Sequence, residues 1–186
     1  MIGIDEAGRG PLAGPVAVGG VLMRQKSALR ALRGIRDSKH LTPEGRERWF
    51  AMLAAHPDFS CASAMISPAV IDRINIRNAA LLGAHRVYRK LAAGTSYSVL
   101  LDGGLFLPHK IGIRQKTIIR GDENIPLIAA ASIIAKVRRD RLMRRLHKKY
   151  PRYRFDLHKG YGTKLHRAMI AGFGRCEIHR KSFRCN

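Results

Sequence analysis

The chain has 186 residues, 46% of them hydrophobic and 26% charged, so it is long enough to close one hydrophobic core without disulfides or a structural metal. Its 35 Lys and Arg outnumber 13 Asp and Glu, and the formal net charge of +22 excludes an acidic or neutral surface. Such a field attracts polyanions, and we therefore expect nucleic acid to be the partner.

Cysteine usage and the N-terminus exclude several other classes of protein. The three cysteines form no CxxC pair, which argues against a zinc site and a disulfide framework. The first six residues include two acids where a signal peptide would be basic, and the longest uncharged run, residues 10–23, is too short to span a bilayer. No GxSxG, HExxH or P-loop motif is present. We expect a monomeric, cytoplasmic protein with no membrane partner.

In chain order, a short first strand is followed by a Gly/Pro loop and a Val- and Gly-rich strand over residues 16–23. Thr42 is expected to cap a helix that has Pro at its first position and runs to about residue 55. Residues 59–66 are predicted to form another strand, and residues 76–91 have the apolar spacing of an amphipathic helix.

Two short apolar runs in the second half, residues 97–101 and 116–119, are predicted to be strands that each stop at a carboxylate, Asp102 and Asp122. Pro126 then begins a long helix with an apolar first half and a basic second half. The order of elements predicts a mixed sheet flanked by helices, with a small helical C-terminal part.

The C-terminal third of this single domain (1–186) is the most basic part. From residue 136 onward, 17 Lys and Arg oppose three acids, so this part carries +14 of the total +22. We expect it to contribute to holding a duplex. Asp140 lies within one helical turn of Lys136 and Arg144, and we interpret it as a solvated ion-pair partner rather than a site residue.

The remaining acids of interest are Asp5, Glu6, Asp102 and Asp122, all predicted at strand ends. Adjacent strand residues point to opposite faces, so Asp5 and Glu6 can share a site only if the strand ends or bulges there. Four converging carboxylates would repel one another unless hard cations neutralised them, which predicts two Mg²⁺ or Mn²⁺ ions acting on a phosphodiester. Turn chemistry alone offers another interpretation, in which Asp102 and Asp122 are only turn residues.

Two Gly-containing segments could contact the substrate. The backbone of Gly8, Arg9 and Gly10 can approach a sugar or phosphate closely. Lys159 and Tyr161, in the sequence HKGYGT, suit a phosphate contact and stacking on a sugar or base, although a plain turn is the alternative.

Together these blocks resemble bacterial ribonuclease HII, of the type 2 ribonuclease H family, over about residues 2 to 184. The ordered blocks are IDEAGRGP at 4–11, DSK at 37–39, DG at 102–103, GD at 121–122, IAAASIIAKV at 128–137, HKGYGT at 158–163 and HRKSF at 179–183. The resemblance implies an RNase H-like α/β fold and cleavage on the 5′ side of ribonucleotides in RNA/DNA hybrids or ribonucleotide-containing DNA, leaving 5′-phosphate and 3′-hydroxyl ends.

The resemblance also implies a role for individual residues. It makes Asp5, Glu6, Asp102 and Asp122 the catalytic, metal-binding carboxylates. It makes Gly8, Arg9 and Gly10 the sensor of the 2′-hydroxyl and Tyr161 the ring that recognises the ribose-to-deoxyribose junction. Ser38, Lys39 and Lys159 are expected to bind substrate.

The chain departs from the family pattern at both ends. Residues that usually precede the first strand are missing, so the strand carrying Asp5 and Glu6 is expected to be short or frayed. The chain ends soon after Phe183, and we expect no clamp-binding tail. The ribonuclease HIII branch is disfavoured because its fourth acid resembles Glu rather than Asp.

Two other functions remain open on the sequence alone. The main alternative is a non-catalytic, basic nucleic-acid-binding protein in which the acids are structural. A junction resolvase of the same superfamily would keep the fold, but the GRG and HKGYGT blocks argue against it.

Overall fold

The fold was described from a computed structural model, which covers residues 1–35, 41–108 and 112–185. Its strands are β1 (Ile2–Ala7), β2 (Val16–Met23), β3 (Phe59–Ile66), β4 (Val99–Asp102) and β5 (Gln115–Ile118). Its helices are α1 (Pro43–Ala55), α2 (Pro68–Ala92), α3 (Gly121–Asn124), α4 (Pro126–Lys149), α5 (Phe155–His158) and α6 (Lys164–Phe173).

The strands form one mixed sheet in the order β3-β2-β1-β4-β5. β1 is antiparallel to β2 and parallel to β4, which brings the carboxyl ends of β1 and β4 together. β1 pairs with β2 over all six of its residues, and the amine of Met1 donates to the carbonyl of Met23 at 3.0 Å. The expectation of a frayed first strand was therefore wrong.

Helices cover both faces of the sheet, as the sequence predicted. On one face, Ile4 and Leu101 of the sheet pack against Val87 of α2. On the other, Val21 packs with Phe50 of α1 and Ile134 of α4. α4 lies close to the sheet because Gly19 has no side chain, and a Cβ there would be 2.4 Å from the Ala131 carbonyl oxygen.

The predicted starts of α1 and α4 are confirmed, whereas that of α2 was wrong. The Thr42 hydroxyl accepts a hydrogen bond from the amide of Gly45 at 3.1 Å, as an N-cap does. α2 begins eight residues before the predicted residue 76 and is kinked at Asn75, where φ is +64°. The Asn75 side chain accepts from the amide of Asn78, so it caps the second segment, whose apolar spacing was the signal in the sequence.

The second half of α4 is less exposed than its composition suggests. Asp140 does pair with Lys136, at 2.9 Å, but Asp140 is buried, so the description of it as solvated was wrong. Arg139 and Met143 are buried as well, because α4 continues into a small helical C-terminal part. A bridge between Ala13 and His179 joins this part to the loop between β1 and β2. Within the described ranges, every helix is too short or too polar to cross a bilayer.

Candidate active site

Three carboxylates converge at the carboxyl ends of β1 and β4. Ile4 pairs with Leu101 across these parallel strands, so Asp5 and Asp102 are the next residues on each. Asp122 approaches from α3. One oxygen from each of the three carboxylates lies within 4.8 Å of the other two, and Asp5 and Asp122 are buried. The structure thus brings together three of the four predicted acids.

Asp122 is not at a strand end, contrary to the sequence-based expectation. It is the second residue of α3, which begins three residues after β5. A carboxylate oxygen of Asp102 accepts a hydrogen bond from the amide of Gly121 at 2.6 Å. A Cβ on Gly121 would be 2.5 Å from the side chain of Ile128 in α4 and 3.3 Å from an Asp102 carboxylate oxygen, so glycine allows α3 to lie this close to α4 and to the end of β4. The short helix thereby fixes Asp122 next to Asp102.

Asp5 lies on the side of β1 that faces α4. Burial, and then the charges of Glu6 and Asp102, raise the pKa of Asp5 well above its ordinary value, although Ser132 of α4 donates a hydrogen bond to it. The amide of Glu6 also donates to Asp5, at 2.7 Å. These two hydrogen bonds lower the pKa of Asp5 by less than burial and the neighbouring charges raise it.

Glu6 lies beside this cluster without joining it. β1 shows no bulge in its pairing with β2, so Glu6 points to the other side of the strand. One of its oxygens contacts Arg9 at 3.3 Å, and the other, Oε2, is buried with no hydrogen-bond partner among the described residues. Burial is the main cause that raises the pKa of Glu6, Arg9 opposes it, and Asp102 and Asp122 add to it. The negative charges of Asp102 and Asp122 therefore also act on Glu6.

These residues fit a hard divalent cation. Carboxylate oxygens are the ligands that Mg²⁺ and Mn²⁺ prefer, and a cation would relieve the repulsion that raises the pKa of Asp5. The unpartnered Oε2 of Glu6 adds a further oxygen at the edge of the cluster. Asp5, Asp102 and Asp122, with Glu6 beside them, could hold such an ion.

The segment that follows β1 turns sharply at Gly8. Gly8 has φ of +92°, a conformation that favours glycine, and a Cβ there would be 2.1 Å from the Arg139 side chain. Arg9 and Gly10 are exposed, and a Cβ on Gly10 would meet open space. The backbone of Arg9 and Gly10 is therefore accessible next to the carboxylates.

Tyr161 and Lys159 lie in the loop between α5 and α6. The Tyr161 side chain is 42% exposed, which rules out a buried turn aromatic. Its ring centroid is 5.9 Å from Lys136 Nζ and 5.6 Å from the guanidinium carbon of Arg139. Lys159 has φ of +50° and donates to the carbonyl of Asp156. Ser38 and Lys39 lie outside the described residues.

Sequence reasoning missed three residues around the site. Ser132 contacts Asp5, whereas Arg139 and Arg180 are almost fully buried beneath the segment after β1. Arg139 stands one α-helical turn before the buried Met143, and that spacing was the available signal. Arg180 lies in the HRKSF block, where nothing local indicates burial.

Comparison with known proteins gives one consistent family. The family model described as Ribonuclease HII matches residues 2–186. A ribonuclease HII of Chlamydia trachomatis serovar L2 is 49% identical over 184 residues, or 98% of this chain and 81% of the relative. One of Caldicellulosiruptor bescii is 45% identical over 183 residues, or 98% of this chain and 85% of the relative. The ribonuclease HII in a PCNA complex from Archaeoglobus fulgidus superposes with a TM-score of 0.78 at 28% identity, covering 97% of this chain and 91% of that one.

Proposed function

Because the chain belongs to the ribonuclease HII family, it is a ribonuclease H endonuclease, and we propose that it cuts on the 5′ side of a ribonucleotide. Its substrates in this proposal are RNA/DNA hybrids and DNA duplexes with embedded ribonucleotides, and the products carry 5′-phosphate and 3′-hydroxyl ends. The family match decides against a non-catalytic nucleic-acid-binding protein. The convergence of Asp5, Asp102 and Asp122 is the observation that carries the proposal.

In this proposal Asp5, Asp102 and Asp122 hold two divalent ions, Mg²⁺ or Mn²⁺, and Glu6 completes the ligand set through Oε2. Two bound ions supply an activated water and neutralise the charge on the leaving oxygen of a displacement at phosphorus. The residues themselves set the position of this chemistry. Ser132 and the Gly121 amide orient Asp5 and Asp102 through hydrogen bonds, and Arg9 orients the other oxygen of Glu6.

Selectivity for ribonucleotides has to come from outside the carboxylates, since such a site acts on any phosphodiester. The 2′-hydroxyl distinguishes RNA from DNA, and we assign its recognition to the backbone of Gly8, Arg9 and Gly10. Tyr161 is accessible beside two cations and would pack on the sugar at the junction. Lys159 is proposed to contact a phosphate of the same strand, and Ser38 and Lys39 to contribute further substrate contacts.

We further propose that the enzyme acts as a cytoplasmic monomer, with the C-terminal third of the single domain helping to hold the duplex. Cys61, Cys176 and Cys185 are all free, in keeping with a reducing compartment. Exposed arginines of α4, including Arg141, Arg144 and Arg145, supply part of the positive surface.

Purified protein incubated with three end-labelled duplexes tests the proposal. The duplexes carry one ribonucleotide, four ribonucleotides or none, and each is incubated with Mg²⁺, with Mn²⁺ or with a chelator. We expect cleavage 5′ of a ribonucleotide in the first two duplexes, with either metal and not with the chelator. Cutting of the all-DNA duplex, or cleavage that persists with the chelator, would overturn the proposal.

A further inference from the structure

Two arginines without a part in the proposed reaction are buried beneath the recognition loop, by which we mean residues 8–15. The side chains of Arg139 and Arg180 have 1% and 0% of their surface exposed. No carboxylate within the described ranges pairs with either guanidinium. Burying two like charges in this way is unfavourable unless their N–H groups find other acceptors.

The acceptors are carbonyl groups of the recognition loop. Arg180 donates through Nη2 to Gly8 at 2.6 Å, through Nη1 to Arg9 at 2.7 Å and through Nε to Gly14 at 2.9 Å. Arg139 donates to Ala13 at 3.2 Å and to Pro15 at 3.0 Å. Burial lowers the pKa of both arginines, that of Arg180 to about 9, and a guanidinium is not deprotonated in proteins near neutral pH. Five carbonyls of one loop are therefore held by two fixed cations.

These hydrogen bonds also set the direction of the loop's amides. In a trans peptide the N–H group points opposite to the carbonyl that precedes it. Because the carbonyls of Gly8 and Arg9 point inward to Arg180, the N–H groups of Arg9 and Gly10 point away from it. Both residues are exposed, and the proposed function places the sugar on this side of the loop.

The same support reaches the loop that carries Tyr161. The amides of Leu12 and Ala13 donate to the carbonyl of Gly160, at 2.8 and 3.3 Å. A Cβ on Gly160 would be 2.4 Å from the Ala13 carbonyl oxygen, so the two loops are in direct backbone contact. Arg139, which holds Ala13, also lies beneath the Tyr161 ring, and its Nη1 is buried with no hydrogen-bond partner among the described residues.

We propose that Arg139 and Arg180 are positioning residues that hold the recognition loop and Tyr161 as one rigid unit, so that reading of the 2′-hydroxyl and of the junction is coupled. The inference rests on the proposed function for its catalytic consequence. The mechanical part, that the two loops are held together by these arginines, stands without it.

Hydrogen exchange tests the mechanical part without any substrate. Arg180→Lys keeps the charge but cannot donate to all three carbonyls in the same geometry. We expect faster exchange in peptides covering residues 8–15 and 158–163 together, with unchanged protection in α1. Arg24→Lys is the matched control, because exposed Arg24 also donates to a backbone carbonyl, that of Pro57 at 2.9 Å, and contacts neither the recognition loop nor Arg180. Loosening of only one loop, or equal loosening in the control, would overturn the proposal.

Cleavage kinetics test the coupling. The substrates are a duplex with one ribonucleotide, which has a junction, and a continuous RNA/DNA hybrid. For Arg180→Lys we expect kcat/KM on the single-ribonucleotide duplex to fall roughly tenfold or more, mainly through kcat, and to fall less on the hybrid. Adding Tyr161→Ala should cost less than the product of the two separate losses, because both changes disturb one unit.

Equal losses on both substrates, or independent losses in the double variant, would show that Arg180 is merely structural. Arg139→Lys provides a second variant, for which the same exchange and cleavage measurements are made. Unfolding of both variants would also contradict a positioning role. If the wild type cuts neither substrate, the proposed function fails, whereas the exchange result still decides whether the two loops form one unit.

Discussion

The molecule buries charge in two neighbouring regions, and it does so in opposite ways. At the ends of β1 and β4, Asp5, Asp102 and Asp122 bring carboxylate oxygens within 4.8 Å of one another. Beneath residues 8–15, Arg139 and Arg180 bring two positive charges together, and five backbone carbonyls accept their hydrogen bonds. In the acidic region burial and like charge raise the pKa of Asp5 well above its ordinary value, whereas in the basic region backbone carbonyls accept most of the buried N–H groups.

This difference separates a ligand site from a structural support. A buried charge whose hydrogen bonds are satisfied within the fold fixes backbone conformation. Converging carboxylates, among which Asp5 has a pKa well above its ordinary value, are suited to binding a cation, because a cation relieves their mutual repulsion. The two regions are joined by β1 and the segment after it. Asp5 lies on β1, and the arginines hold residues 8–15, which follow this strand directly.

The largest expected effect comes from removing one charge on the acidic side. Asp102→Asn should lower cleavage by at least roughly a hundredfold. The amide oxygen can still accept from Gly121, so the thermal midpoint and duplex binding in a gel-shift titration should stay close to wild type. Glu123→Gln, which changes an exposed acid next to Asp122 in α3, is the control and should cut normally. If Asp102→Asn cuts at the wild-type rate, Asp102 is only a turn residue.

A smaller effect is expected at Tyr161, whose ring lies beside Arg139 of the basic region. Tyr161→Ala should reduce cleavage at an isolated ribonucleotide by roughly tenfold and blur the choice of bond, because it removes a stacking surface. The ring is 42% exposed, so the thermal midpoint should change little. Tyr161→Phe keeps the ring and should retain most of the activity. Unfolding in step with lost activity, or full activity of Tyr161→Ala on this duplex, would refute the recognition role.

Exposed arginines of α4 test whether charge outside the two buried regions also contributes to function, through contacts with phosphates of the duplex. Binding should weaken steeply with salt, and Arg144→Ala with Arg145→Ala should lower the log-log slope by about 0.9 for each phosphate that these side chains neutralise in the wild type. Arg144 also lies 3.7 Å from Glu47, so its share is expected to be the smaller one. Arg30→Ala with Arg33→Ala removes two exposed charges outside the C-terminal third and serves as control. A flat salt response of the wild type would contradict a phosphate-holding surface.

The smallest effect concerns the histidines that pack beside Tyr161. Burial, more than the neighbouring His158 and His179, lowers the pKa of His166 from 6.5 to about 4. As the pH falls from 6.5 toward 4, His166 is therefore protonated in the unfolded chain before it is protonated in the folded protein. The free energy of unfolding decreases over this range. Thermal midpoints at pH 7 and pH 4.5 should show a smaller drop for His166→Asn than for wild type. Equal drops would remove His166 as a cause.

Much of the fold could be predicted because local signals agreed with tertiary packing. Thr42 and Pro43 mark the start of α1, and the apolar run after Pro126 marks the buried half of α4. The start of α2 could not be read from apolar spacing, since the Asn75 kink divides the helix and shifts its periodicity. Asp122 was placed at a strand end because nothing local distinguishes a turn from the single helical turn that packs on Ile128.

The candidate site could be predicted from the amino-acid composition more than from the expected geometry of the strands. In so basic a chain the few acids stand out, and the ends of β1 and β4 were visible from Gly8 and Gly103. The face on which Glu6 lies depends on whether β1 bulges, which its sequence does not decide. The burial of Arg139 and Arg180 depends on carbonyls more than 120 residues away in the chain, so no local pattern reveals it.

Metal binding measured by calorimetry tests the central claim most directly, because it needs neither substrate nor turnover. Mn²⁺ is titrated into wild type, Asp102→Asn and Glu123→Gln at the same pH and ionic strength. The uncompensated cluster of Asp5, Asp102 and Asp122 predicts binding to wild type and Glu123→Gln, with affinity for Asp102→Asn reduced at least about tenfold. Equal affinity in all three proteins would contradict it.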